Sequence, residues 1–140
     1  MLQRMQTVWL LLAAVCAFLT FKFSFYSGML PAESNPANPY EHITATSSMI
    51  ILIFTVALVS SIIIDIFLFK NRKLQLRILL ADILISLLNI FLYFGQTERF
   101  NQGSYDLTAV FFLAIPVLLV LAARGIYKDQ KLVKSLDRLR

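Results

Sequence analysis

The stretch Ile62–Ser86, IIIDIFLFKNRKLQLRILLADILIS, decides the fold. It sets one aspartate inside each of two apolar runs and a basic turn between them. Neither run alternates polar with apolar, as a half-buried strand would. Followed outward, each extends far beyond strand length, into a helix apolar around its whole circumference. Such helices belong in a bilayer, where about 20 predominantly apolar residues cross roughly 30 Å of hydrocarbon.

Four segments meet that requirement: 6–25, 49–69, 78–95 and 107–123. Composition agrees. Of the 140 residues 59% are hydrophobic and 15% charged, against about a quarter charged in an ordinary soluble domain. The expectation is an all-α, single-domain integral membrane protein, a four-helix bundle over 1–140, with a tail at 124–140. The first segment resembles a signal peptide, with Arg4 ahead of an apolar core. The core continues to Phe25 without a small-x-small cleavage site, so a retained span is expected. Before Cys16, Val15 stands where a lipoprotein cleavage box needs a small residue. Cys16 is the single cysteine, which excludes internal disulfides and dithiol redox chemistry within one chain.

Topology follows from the basic residues, which stay on the cytoplasmic side when they lie near span ends. Of 13 Lys and Arg residues, all but Lys22 and Arg99 fall before the first span, between the second and third, or in the tail. Both termini are therefore expected in the cytoplasm (N-in/C-in), and in a bacterium the host membrane is the inner one. This distribution also accounts for the net charge of +5. It reads as a collar that meets anionic inner-leaflet lipid, and no nucleic-acid partner is expected.

A central aspartate costs about 2.5 to 3.5 kcal/mol on the insertion scale, which the surrounding Ile, Leu, Val and Phe offset. It still needs a partner. Asp65 and Asp82 each lie about 6 Å inside the cytoplasmic boundary, taking 1.5 Å per residue. A short loop makes their helices antiparallel neighbours. The expected arrangement is an intramembrane polar layer of Asp65, Asp82 and Arg124, with Arg77 just above. Asp82, Ser86, Asn89 and Tyr93 follow i, i+4, i+7, i+11 and form a polar stripe on one helix face, pointed into the bundle. Ala57, Ser61 and Asp65 suggest a facing stripe on the second helix, and Ala13 and Ala17 one on the first. Pro116 should kink the fourth helix. Three uses of these groups stand open: a hydrogen-bonded layer that sets helix register, a proton or ion path through Asp65 and Asp82, and a site completed by another subunit.

The loop at 26–48 holds Pro31, Pro36 and Pro39 and reads as an irregular cap. His42 beside Glu41 is not a metal-ligand set. The loop at 96–106 reads as a plain turn. In the tail, Leu132, Val133, Leu136 and Leu139 share one helical face, with Lys131, Lys134 and Arg138 elsewhere. This pattern suits a membrane-surface helix, an extension of the fourth span, or a docking face for a partner.

The two ends, MLQRMQTVWLLLAA and LAARGIYKDQKLVKSLDRLR, carry a resemblance. Gln3-Arg4, Gln6-Thr7, Arg124, Lys128-Asp129, Leu132-Val133, Ser135 and Asp137-Arg138-Leu139-Arg140 resemble the recurrent pieces of a family of small four-span membrane proteins from Bacteroidota, classified as a domain of unknown function. The resemblance implies the four-span topology and an inner-membrane location, and supplies no activity. Gln3, Arg4 and Gln6 form an N-terminal cytoplasmic motif expected beside the tail. The chain shows no nucleophile–base pair, metal-ligand cluster or phosphate-binding loop, so neither catalytic residues, metal nor cofactor is expected. The reading is a non-enzymatic accessory or scaffold subunit of a larger inner-membrane assembly. A small proton- or ion-coupled transporter is the first alternative, and a lipid- or quinone-handling enzyme the second.

Overall fold

The computed structural model describes residues 2–31 and 40–137. Glu33, Pro36, Pro39, Arg138, Leu139 and Arg140, and the side chains of Gln3, Arg4 and Leu136, lie outside the described residues. The described chain is mostly helical: α1 Leu2–Leu19, α2 Met49–Phe67, α3 Arg72–Thr97 and α4 Ala109–Asp137. Three of them, α2 with its following turn, α3 and α4, are long and apolar enough to cross a membrane; α1 is shorter.

Each helix buries one stripe, and the spacings alternate between three and four residues. The stripes are Gln6, Leu10, Ala13 and Ala17 on α1, continued by Thr20 just beyond it; Ile51, Thr55, Leu58, Ile62 and Asp65 on α2; Gln75, Leu79, Asp82, Ser86, Asn89 and Tyr93 on α3; and Phe112, Ile115, Leu119, Ala122, Ile126 and Asp129 on α4. This periodicity keeps one narrow face toward the neighbours along the full length of a helix, as in left-handed bundles. The remaining faces are apolar too. Phe91, Leu84, Ile53, Val117 and Phe67 are all exposed. The helices thus bury a mixed core, in which Asp65, Asp82, Gln6, Gln75 and Asn89 lie among Leu, Ile and Ala, and expose many further Leu, Ile and Phe side chains.

Several hydroxyls satisfy themselves within their own helix. Thr55, Ser60 and Thr20 donate to the carbonyls of Ile51, Val56 and Ala17 at 2.7 to 2.8 Å. Each hydroxyl proton is thereby satisfied by the backbone a turn earlier, without an acceptor from another element. The most extensive helix pairing is α1 with α4, where Ala13, Ala14 and Ala17 share a buried cluster with Ala122. A Cβ on Gly125 would stand 2.9 Å from Cγ of Gln6.

Three sequence expectations change. The first apolar segment is helical only to Leu19, and Phe21–Phe25 turns back across the bundle end. Buried Phe25 there packs on Tyr93 and Phe112, with ring centroids 5.3 and 5.2 Å away. Helix α3 starts at Arg72, six residues early, so Arg72, Lys73 and Arg77 ride on the helix. The connection shrinks to the 3-10 turn Leu68–Lys70 and Asn71. The fold is also not purely helical. The two loops at the far end pair into an antiparallel sheet of order β2-β1-β3, with β1 Tyr26–Met29 between β2 Tyr40–Ile43 and β3 Gln102–Tyr105. Gly28 lies opposite Gly103, and a side chain on either would run into the other strand's backbone. The irregular cap and plain turn read from sequence are therefore one structure.

The chain has two ends in space. A sheet end carries β1–β3. A tail end gathers the start of α1, the α2–α3 turn and the last turns of α4, which continue without a break through the predicted tail to Asp137. Pro116 lies inside α4 and cannot donate to the carbonyl of Phe112.

Candidate functional site

The candidate site is the polar interior, and it is layered from the tail end toward the sheet end. In the first layer, the Gln6 amide donates to the Asp129 carboxylate at 2.7 Å, both residues buried. Beside it, the buried Gln75 amide donates to the backbone carbonyl of Asp65 at 2.9 Å and ties α3 to the end of α2. The second layer is the acid pair. Asp65 and Asp82 are both 0% exposed and close enough for their charges to interact. Among the described residues, none of their four carboxyl oxygens has a hydrogen-bond partner. The half-buried Ser61 hydroxyl lies beside Asp82.

The arginines expected in that layer are elsewhere. Arg124 and Arg77 are exposed. The reason is angular. Arg124 is two residues from both Ala122 and Ile126, and Arg77 two residues from both Gln75 and Leu79. At 100° per residue, two residues carry a side chain about 200° round the helix, away from the buried stripe. The same rule leaves Ala57 exposed between buried Thr55 and Val59, so the facing stripe on α2 runs through Thr55 and Leu58 instead.

The third layer lies deeper in the bundle. The Asn89 amide donates to the Thr55 hydroxyl at 2.9 Å, while its carbonyl oxygen has no partner among the described residues. The Tyr93 hydroxyl lies beside Thr20 and Thr55, also without a hydrogen bond of ordinary geometry. Ser86 returns its proton to the Ile83 carbonyl at 2.8 Å. These side chains border a cavity of about 10 Å³, the size of a single water molecule. The structure thus brings Asp82, Ser86, Asn89 and Tyr93 to one inward face.

At the sheet end, Asp106 accepts from the hydroxyls of Ser24 and of Ser27, the latter at 2.5 Å, and Thr108 donates to the Ser24 carbonyl. His42 and Glu41 are exposed on β2. Among the described residues no three His, Cys, Asp or Glu side chains lie close enough to hold a metal ion. Leu132 and Val133 are exposed near the end of α4.

Sequence reasoning overlooked Thr55, Gln75, Asp106 and the role of Asp129. Two were within reach. Asp129 continues the three-four series Ile115, Leu119, Ala122, Ile126, and Gln75 precedes Leu79 and Asp82 in the same rhythm. Asp106 and its serines join segments about 80 residues apart, and no local pattern marks that.

Fold and site together define a small apolar helical protein with three long candidate spans and a polar core. The chain belongs to the family described as Domain of unknown function (DUF4293), whose model matches residues 2–139. No curated protein matches it.

Proposed function

We propose that the protein is a four-span subunit of the bacterial inner membrane, with both termini cytoplasmic, serving as a non-enzymatic accessory or scaffold in a larger assembly. The carrying observation is α4. Its 29 residues extend about 43 Å at 1.5 Å per residue, well beyond a 30 Å hydrocarbon layer. The Gln6–Asp129 bond secures the protruding part to α1. Exposed Leu132 and Val133 stand there among lysines. A helix held rigidly beyond the bilayer with apolar side chains uncovered suits docking better than anchoring, because four hydrophobic helices already anchor the chain. The basic residues at that end support the orientation.

Purification of the full chain in mild detergent should bring down a stoichiometric protein partner, and Leu132→Glu should release it. Recovery of a lone chain from its native membrane overturns the reading.

A second reading has its own observation. Asp65 and Asp82, fully buried and unpartnered among the described residues, fit a proton- or ion-exchanging pair better than a register-setting layer. In liposomes, Asp65→Asn or Asp82→Asn should then abolish pH-dependent flux. Flux that is absent, or indifferent to both changes, removes this reading.

A further inference from the structure

Arg72, the first residue of α3, lines two adjoining hollows at the tail end. One is a groove of about 460 Å³ against α1, walled by Val8, Leu11, Leu12 and Phe69, with Gln6 and Gln75 also on its surface. Its apolar walls are largely exposed, so it opens on the lateral face of the bundle. The other is a cleft of about 1140 Å³ between the α2–α3 turn and the end of α4. Lys70, Arg72 and Lys73 line it from one side, Lys131 and Lys134 from the other, and no carboxylate lines it among the described residues. The first turn of α3 adds to this field. Asn71 makes no side-chain cap, so the opening N–H groups and the positive end of the helix dipole lie beside the cationic side chains.

We propose that the two hollows together bind one phospholipid of the inner leaflet with a net anionic headgroup. The phosphate lies between Arg72 and the lysines of α4, and an acyl chain follows the groove along Leu11 and Leu12. Charge and shape both lead to this occupant. A topology signal needs positive charge only in the right loops. It does not need cations from two distant segments, 70–73 and 131–134, facing each other across a cleft that shares Arg72 with an apolar groove. A soluble phosphate compound would fill the cleft and leave the groove unused. The proposal rests on the membrane-embedded reading above, but requires no protein partner.

Native mass spectrometry of the full chain in detergent, with phosphatidylglycerol or phosphatidylcholine added, tests it. One phosphatidylglycerol should be retained, and phosphatidylcholine should not. Arg72→Gln should weaken retention about fivefold, and Arg72→Gln with Lys73→Gln and Lys131→Gln on the order of 100-fold. Lys128→Gln removes one charge from the same helix outside the cleft and should change retention less than twofold. Arg72→Lys, which keeps the charge, should restore most of it and so separates binding from folding. Equal retention of phosphatidylcholine overturns the proposal. So does an effect of Lys128→Gln as large as that of Arg72→Gln, which would mean diffuse attraction only. Displacement by millimolar glycerol 3-phosphate would show a soluble-anion site and likewise overturn it. Binding in detergent depends on neither orientation nor partner, so failure here leaves the partner purification as an independent result.

Discussion

Four of the aspartates divide into two groups. Asp106 and Asp129 hold segments together: Asp106 takes two serine hydroxyls at the sheet end, and Asp129 takes the Gln6 amide at the tail end. Asp65 and Asp82 lie deeper than Asp106, and among the described residues their carboxyl oxygens accept no hydrogen bond of ordinary geometry. A carboxylate that receives donors repays its desolvation, while one that receives none is a cost the rest of the fold must carry. The braces are therefore at the two ends of the bundle. The acid pair inside has only the Ser61 hydroxyl beside Asp82 and no donor of ordinary geometry.

Substitutions can break or sharpen this contrast. The largest loss should follow Asp106→Ala, which removes two charge-assisted hydrogen bonds, worth about 3 kcal/mol together. The melting temperature in detergent should fall clearly, and proteolysis near 26–29 should rise as β1 comes loose. Gln6→Leu should come next, at about 2 kcal/mol, because Asp129 then stays buried without its donor. The double change Gln6→Leu with Asp129→Leu should recover part of the loss, and a melting series of the three variants checks it. Thr55→Val should cost about 1 kcal/mol by depriving Asn89 of its acceptor. The smallest effects belong to Asp65→Asn and Asp82→Asn, each expected to shift the melting temperature less than Gln6→Leu does. If either proves as damaging as Asp106→Ala, the acid pair is a brace after all and the contrast fails.

Much of the helical layout could be read from composition and period. The polar stripe of α3 was legible because Asp82, Ser86, Asn89 and Tyr93 repeat at three and four, and burial follows that repeat. What misled was depth. Arg124 and Arg77 stand near the right level for the acids, yet level along a helix says nothing about azimuth, and two residues of offset turned both away. The sheet was hidden for another reason. Its strands are four residues long, two of them carry glycine, and their pairing depends on where the helices deliver the loops. The early end of α1 was equally hidden, since Phe21, Phe23 and Phe25 continue the apolar run, and it is the packing of Phe25 on Tyr93 and Phe112 that takes the chain out of the helix.

The Gln6–Asp129 bond joins residues 123 positions apart. During biogenesis the first helix leaves the ribosome long before its mate exists. A chain stalled before α4 presents an amide with no acceptor and a stripe of alanines with nothing to close on. Final assembly must therefore await synthesis of the last helix.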